Sequence, residues 1–143
     1  MLSQETKEWM SRNEYNPDSI DAVGKYGNSA LMKAVREAQL QVAKELVESG
    51  ANLEIENVDG NTALWNACFG ESDECVELLV KADIDLDKQN DNGVTALMYS
   101  ASAGKEKMVR LLVEYGADKE LENLDGFKAI ELAATPTIYK ILK

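Results

Sequence analysis

The sequence predicts an all-α solenoid of helix-turn-helix units joined by β-hairpin-like loops. Three observations carry that expectation. Gly27, Gly60, Gly93 and Gly126 recur every 33 residues. The blocks NSALMKAV (28–35), NTALWNAC (61–68) and VTALMYSA (94–101) follow the first three, with a weaker fourth, FKAIELAA (127–134). Behind each of the first three stands a second apolar run, LQVAKELVES, DECVELLVKA or EKMVRLLVEY. In the last of these, Met108, Val109, Leu111, Leu112 and Val113 fall at helical spacing. Self-similarity at a fixed period marks a repeat architecture, whose units bury their apolar faces against their neighbours.

The elements follow in chain order. Residues 3–13 read as a short helix with Trp9 and Met10 on its apolar side, standing in for the second helix of a preceding unit. Ile20 and Asp21 fall 33 residues before Leu53 and Glu54, so the loop of that half-unit is present too. Ser29, Thr62 and Thr95 are placed to cap the first helix of each repeat, accepting from an orphan backbone N–H. Small residues at Ala34, Ala67 and Ser100 allow close helix approach. Gly50 and Gly116 suit the left-handed turn that ends the second helix, and Asp83 tolerates it at some cost. At the tip NVDGN, Gly60 supplies a positive φ and Asn57 an Asx turn. Thr135-Pro136 reads as N-cap and first position of a last short helix, with Ile138, Ile141 and Leu142 inward. The expected organisation is a single domain over 1–143. It comprises an N-terminal capping half-repeat (1–24), repeats at 25–57, 58–90 and 91–123, and a C-terminal capping repeat (124–143). An initiator Met and two caps favour a complete chain.

These blocks resemble ankyrin repeats, whose pattern includes T-P-L-H-x-A. The resemblance covers about residues 17–143. The family's Pro is Ala at 30, 63, 96 and 129, and its His is Met32, Trp65, Met98 and Glu131. Packing by Met and Trp would replace the His hydrogen bonds between repeats.

Composition narrows the chemistry. The chain has no His, which removes Ser-His-Asp and Cys-His catalysis and His-containing zinc sites. Cys68 and Cys75 fall at apolar positions and read as buried thiols. No cofactor and no metal are expected. A net charge of −11 disfavours direct binding to nucleic acid or an anionic membrane. With no apolar leader or spanning segment, the expected compartment is the cytoplasm. Every Gly is accounted for by a turn, which leaves no phosphate loop, and no catalytic constellation converges, so no enzymatic role is expected.

The stretch DIDLDKQNDNG (83–93) looks at first like a calcium loop. Lys88 and Val94 stand where an EF-hand needs its Gly and its closing Glu. It is instead in register with GANLEIENVDG (50–60) and GADKELENLDG (116–126). Residues 71–91 nonetheless carry eight acids against Lys81 and Lys88, a balance of −6. This leaves a solvated face and an acidic docking surface both open.

The resemblance implies a non-catalytic protein-interaction module, binding through a concave surface of hairpin tips and first-helix faces. Carried over by position, that surface comprises Tyr26, Lys33 and Arg36 of the first repeat, with Lys25 beside them. The second supplies Val58, Asp59, Asn61, Asn66 and Phe69. The third supplies Asp91, Asn92, Val94, Tyr99 and Ser102, and the last unit Phe127, with Leu124 at its tip. Phe69 reads as an interface ring, Phe127 as leaning towards packing, Trp65 as core, and Tyr99 stays open between the two. Lys25, Lys33 and Arg36 form a small basic patch. The alternative function is an acidic escort or chaperone shielding a basic client, such as a ribosomal or nucleic-acid-binding protein.

Overall fold

Two residues after Gly27, Gly60 and Gly93, a Ser or Thr opens the first helix of a repeat. The computed structural model describes residues 1–143 and holds eight α-helices and no β-strand. They are α1 (Gln4–Arg12), α2 (Ala30–Arg36), α3 (Leu40–Glu48), α4 (Ala63–Phe69), α5 (Asp73–Lys81), α6 (Ala96–Ser102), α7 (Glu106–Glu114) and α8 (Pro136–Leu142). Ser29 Oγ accepts from Met32 N–H, and Thr95 Oγ1 from Met98 N–H, as the capping pattern predicts. Thr62 departs from it. It occupies the N-cap of α4, but its side chain accepts nothing there, while Asn66 Nδ2 donates back to the Thr62 carbonyl.

The hairpin-like loops are tight turns. Asn57, Asn90 and Asn123 each donate N–H to the carbonyl four residues on, at 3.0, 3.0 and 2.9 Å. Each Asn Oδ1 accepts from the second and fourth N–H beyond it, so one amide organises a whole tip. In the first repeat Gly24 takes the Asn position, donating to Asn28 O at 2.8 Å, and Tyr26 adopts φ 59°. Backbone bonds of this kind account for two of the acids in the stretch 83–93. Asp85 Oδ1 accepts from Asp87 N–H, and Asp87 Oδ1 accepts from Asp118 N–H at 2.8 Å. Asp21, 66 residues upstream of Asp87, makes the same bond to Asn52 N–H. Asp21 and Asp87 thus join one loop to the next, while Asp85 acts within its own.

The chain forms two compact units, 1–84 and 85–143. In the first, α1 packs on α3, α2 on α3 and α4, and α5 on α3 and α4. Its core holds Met10, Leu31, Met32, Val35, Leu46, Leu64 and Leu79, together with the buried thiols Cys68 and Cys75, which form no disulfide. Burying each large apolar side chain contributes about 1.5–3 kcal/mol. Ala34 and Ala67 are fully buried, as their size at helix contacts requires. In the second unit α6 packs on α7 and on a 3-10 turn at Ala129–Leu132, and α8 packs on α7 and that turn. Leu97, Met98, Met108, Leu112 and Ile138 fill its core. Thr135 caps α8 with Pro136 in its first turn. No helix is long and apolar enough to cross a membrane.

Candidate functional site

α2 and α4 run as neighbours in the first unit, and their C-terminal ends bring Arg36 and Phe69 together. Phe69 ends α4 and keeps 40% of its surface exposed. Trp65, one turn earlier, stacks on it with centroids 5.7 Å apart and planes 18° from parallel. The Arg36 guanidinium carbon lies 3.9 Å from the Phe69 centroid, a cation–π contact. Gly70 makes this approach possible, because a Cβ there would fall on the Arg36 carbonyl oxygen. Trp65 is half-buried rather than core, since stacking on an exposed ring leaves it partly open.

The rest of the first unit's predicted surface divides. Tyr26 is 71% exposed, and Val58 and Asp59 are exposed at the next tip. Tyr26 O accepts from Val58 N–H at 2.9 Å, which ties the two tips together. Lys33 is half-buried and pairs with Glu37 at 2.9 Å, one helical turn on. Two expected surface residues are buried. Asn61 is 5% exposed, and its N–H and C=O both close the turn on Asn57. Asn66 is only 1% exposed: its Nδ2–Thr62 bond lays the side chain along α4, against α2. Its Oδ1 accepts no hydrogen bond.

Beside the stack lies a groove of about 460 Å³ that counting repeats does not reveal. Arg12 and Lys25 join Lys33 and Arg36 on its walls, against the acids Glu14 and Glu37. Asn66 also lines it, as do Tyr15 and Tyr26. Tyr15 is buried, donates its OH to Asn28 O at 2.9 Å, and has its pKa pushed up by burial and by the nearby Glu37. Arg12 and Tyr15 come from the capping segment, where sequence spacing gives no sign of a groove wall.

In the second unit Asp91, Asn92 and Ser102 are exposed, while Val94 and Tyr99 are half-buried. Lys105 Nζ lies 5.9 Å from the Tyr99 centroid, and Ser102 Oγ donates to Tyr99 O. Phe127 reverses its expected leaning towards packing. It is 45% exposed: its backbone closes the tip on Asn123, as Asn61 does on Asn57, but its larger side chain stays partly outside. Leu124 beside it is exposed as well. No three His, Cys, Asp or Glu side chains gather as a metal site would require.

A family model for ankyrin repeats matches the chain three times, over residues 3–90, 31–123 and 72–143. The chain belongs to the ankyrin-repeat family, and its fold is the all-α solenoid class of helix-turn-helix units. Ankyrin repeats are generally protein–protein interaction modules and are typically non-catalytic. No curated protein matches the sequence.

Proposed function

We propose that this chain is a non-catalytic module that binds a partner protein through the tips and first-helix ends of its first unit, with Phe69 at the centre. The observation that carries the reading is the Arg36–Phe69–Trp65 stack. An exposed aromatic ring in contact with both a guanidinium and an indole has less rotamer freedom left to lose. It therefore buries area on binding at little further entropic cost, as hot-spot residues do. Tyr26 and Val58 extend the apolar contact, and Asp59, Lys33 and Arg36 give it a charged rim. In the second unit Phe127 and Leu124 form a smaller exposed apolar tip, flanked by Asp125.

The escort reading draws less support. Asp85 and Asp87 serve as backbone acceptors within and between loops, so a structural task accounts for both. The two readings separate in one pull-down from native lysate, washed at low and high salt, with full-length chain as bait. Phe69→Ala is expected to weaken capture by about 2 kcal/mol, the scale of a hot spot, at either salt. The triple change Asp85→Asn, Asp87→Asn, Asp91→Asn removes the charge and leaves each side chain one acceptor oxygen, enough for the Asp85 and Asp87 loop bonds. Clients lost with that variant or with high salt, but kept by Phe69→Ala, would establish the escort instead.

A further inference from the structure

The groove beside Phe69 gathers Arg12, Lys25, Lys33 and Arg36 in a unit that carries sixteen acids against seven bases. We propose that it receives an acidic, extended segment of the partner protein. This names the partner's chemistry and rests on the protein-binding reading above. Three features converge. The first is charge: four cations face two acids, and neither Arg12 nor Lys25 is paired with a carboxylate. Lys33 is held by Glu37 and Arg36 by Phe69, so Arg12 and Lys25 are the cations ready to meet a carboxylate. The second is Asn66. Its Nδ2 is committed to Thr62 O, which fixes the amide orientation, and its Oδ1 is left as a buried acceptor in the groove lining. Such an atom gains from any donor that reaches it. The third is Tyr26, a bulky side chain at φ 59° that forms part of the wall and remains mostly exposed.

The combination selects among anions. A small dicarboxylate brings charge but no donor for Asn66 Oδ1, and a hydrogen phosphate brings only an O–H and no length to span the lining. A peptide segment supplies backbone N–H donors with its carboxylates, matching a lining of four cations, two acids and an amide oxygen.

The test is a display selection of random dodecapeptides against the full-length chain, followed by anisotropy measurements on the recovered peptides. Enriched peptides are expected to carry net negative charge, against the protein's own net charge of −11. Arg12→Glu and Lys25→Glu, both at exposed positions, should each weaken them on the order of tenfold or more. Asn66→Leu should weaken them too while leaving thermal stability unchanged or higher, a split that a purely structural amide would not give. Enrichment of neutral or basic peptides, no enrichment, or binding indifferent to Arg12→Glu and Lys25→Glu overturns the proposal. Competition by millimolar phosphate at the same residues without peptide binding assigns the groove to small anions, which also overturns it. So does a dimer dispersed by Lys25→Glu in light scattering, because it gives the groove to a second copy. Partner capture that still depends on Phe69 in any of those cases leaves the wider reading standing.

Discussion

Glu45 ties the capping helix to the first repeat. Its Oε1 accepts from Ser3 N–H and its Oε2 from Ser3 Oγ and Gln41 Nε2, while Ser3 Oγ caps α1 at Thr6 N–H. The Ser3 backbone N–H, then the Gln41 amide, hold its pKa down from 4.5 to about 2, and the Ser3 and Thr6 hydroxyls add to the effect against desolvation. A lowered carboxyl pKa contributes stability above its unfolded value and loses it as pH falls through its folded value. Glu45→Gln is expected to lower stability by about 1–2 kcal/mol at neutral pH. The melting-temperature gap between wild type and variant should hold above about pH 4.5 and close towards pH 2. A gap constant over that range would remove the carboxylate's role. Sequence does not announce this residue, because Ser3 and Glu45 are 42 apart and match no repeat position. Asn66 is hidden for a similar reason. Its counterparts one period either way are Lys33 and Tyr99, so register marks it as surface, and only the short bond back to Thr62 turns it inward.

At the scale of the element, most of the fold was legible, because the 33-residue period places helices, tips and caps at once. What it missed were backbone conformations that Gly does not mark. Between the two helices of successive repeats, Ala38, Glu71 and Gly104 share one register and φ values of 56°, 54° and 73°. Only the third is the residue that suits that region, and a non-Gly side chain there costs about 1–2 kcal/mol. Ala38→Gly and Glu71→Gly are therefore each expected to stabilise the protein by up to about 1 kcal/mol, after the greater freedom of Gly in the unfolded chain is offset. Gly70 makes the opposite case at an ordinary φ. Gly70→Ala would drive its Cβ into the Arg36 carbonyl, part α4 from α2, and pull Phe69 away from its guanidinium. It should lower the melting temperature and weaken partner capture together, whereas Glu71→Gly should move stability alone. Denaturation curves run alongside the capture assay separate the two outcomes.

Over the whole molecule the charge is unevenly shared. Residues 1–84 hold sixteen acids and seven bases, a balance of −9, and residues 85–143 hold ten acids and eight bases, a balance of −2. The unit with the basic groove is thus also the one with the larger self-repulsion. Self-repulsion destabilises a compact state, and salt screens it, with a Debye length of about 10 Å at 0.1 M. The ion pairs Lys33–Glu37, Lys81–Glu77 and Arg110–Glu106 are exposed or partly exposed i,i+4 contacts whose loss to screening costs about 0.3–0.5 kcal/mol each. Repulsion among this excess of acids should outweigh that loss. Raising salt from about 0.01 M to 0.5 M, a span over which the Debye length falls well below 10 Å, should therefore stabilise the fold. A gain of about 1 kcal/mol would raise the melting temperature by about 2–4 °C in a chain of this size. Acidic peptides in the groove should respond in the opposite sense, binding more weakly as the same salt screens Arg12 and Lys25. Calorimetry and anisotropy in one salt series read both slopes. If stability and peptide affinity fell together, salt would be acting by loosening the fold, and the groove's cations would have no separate part in recognition.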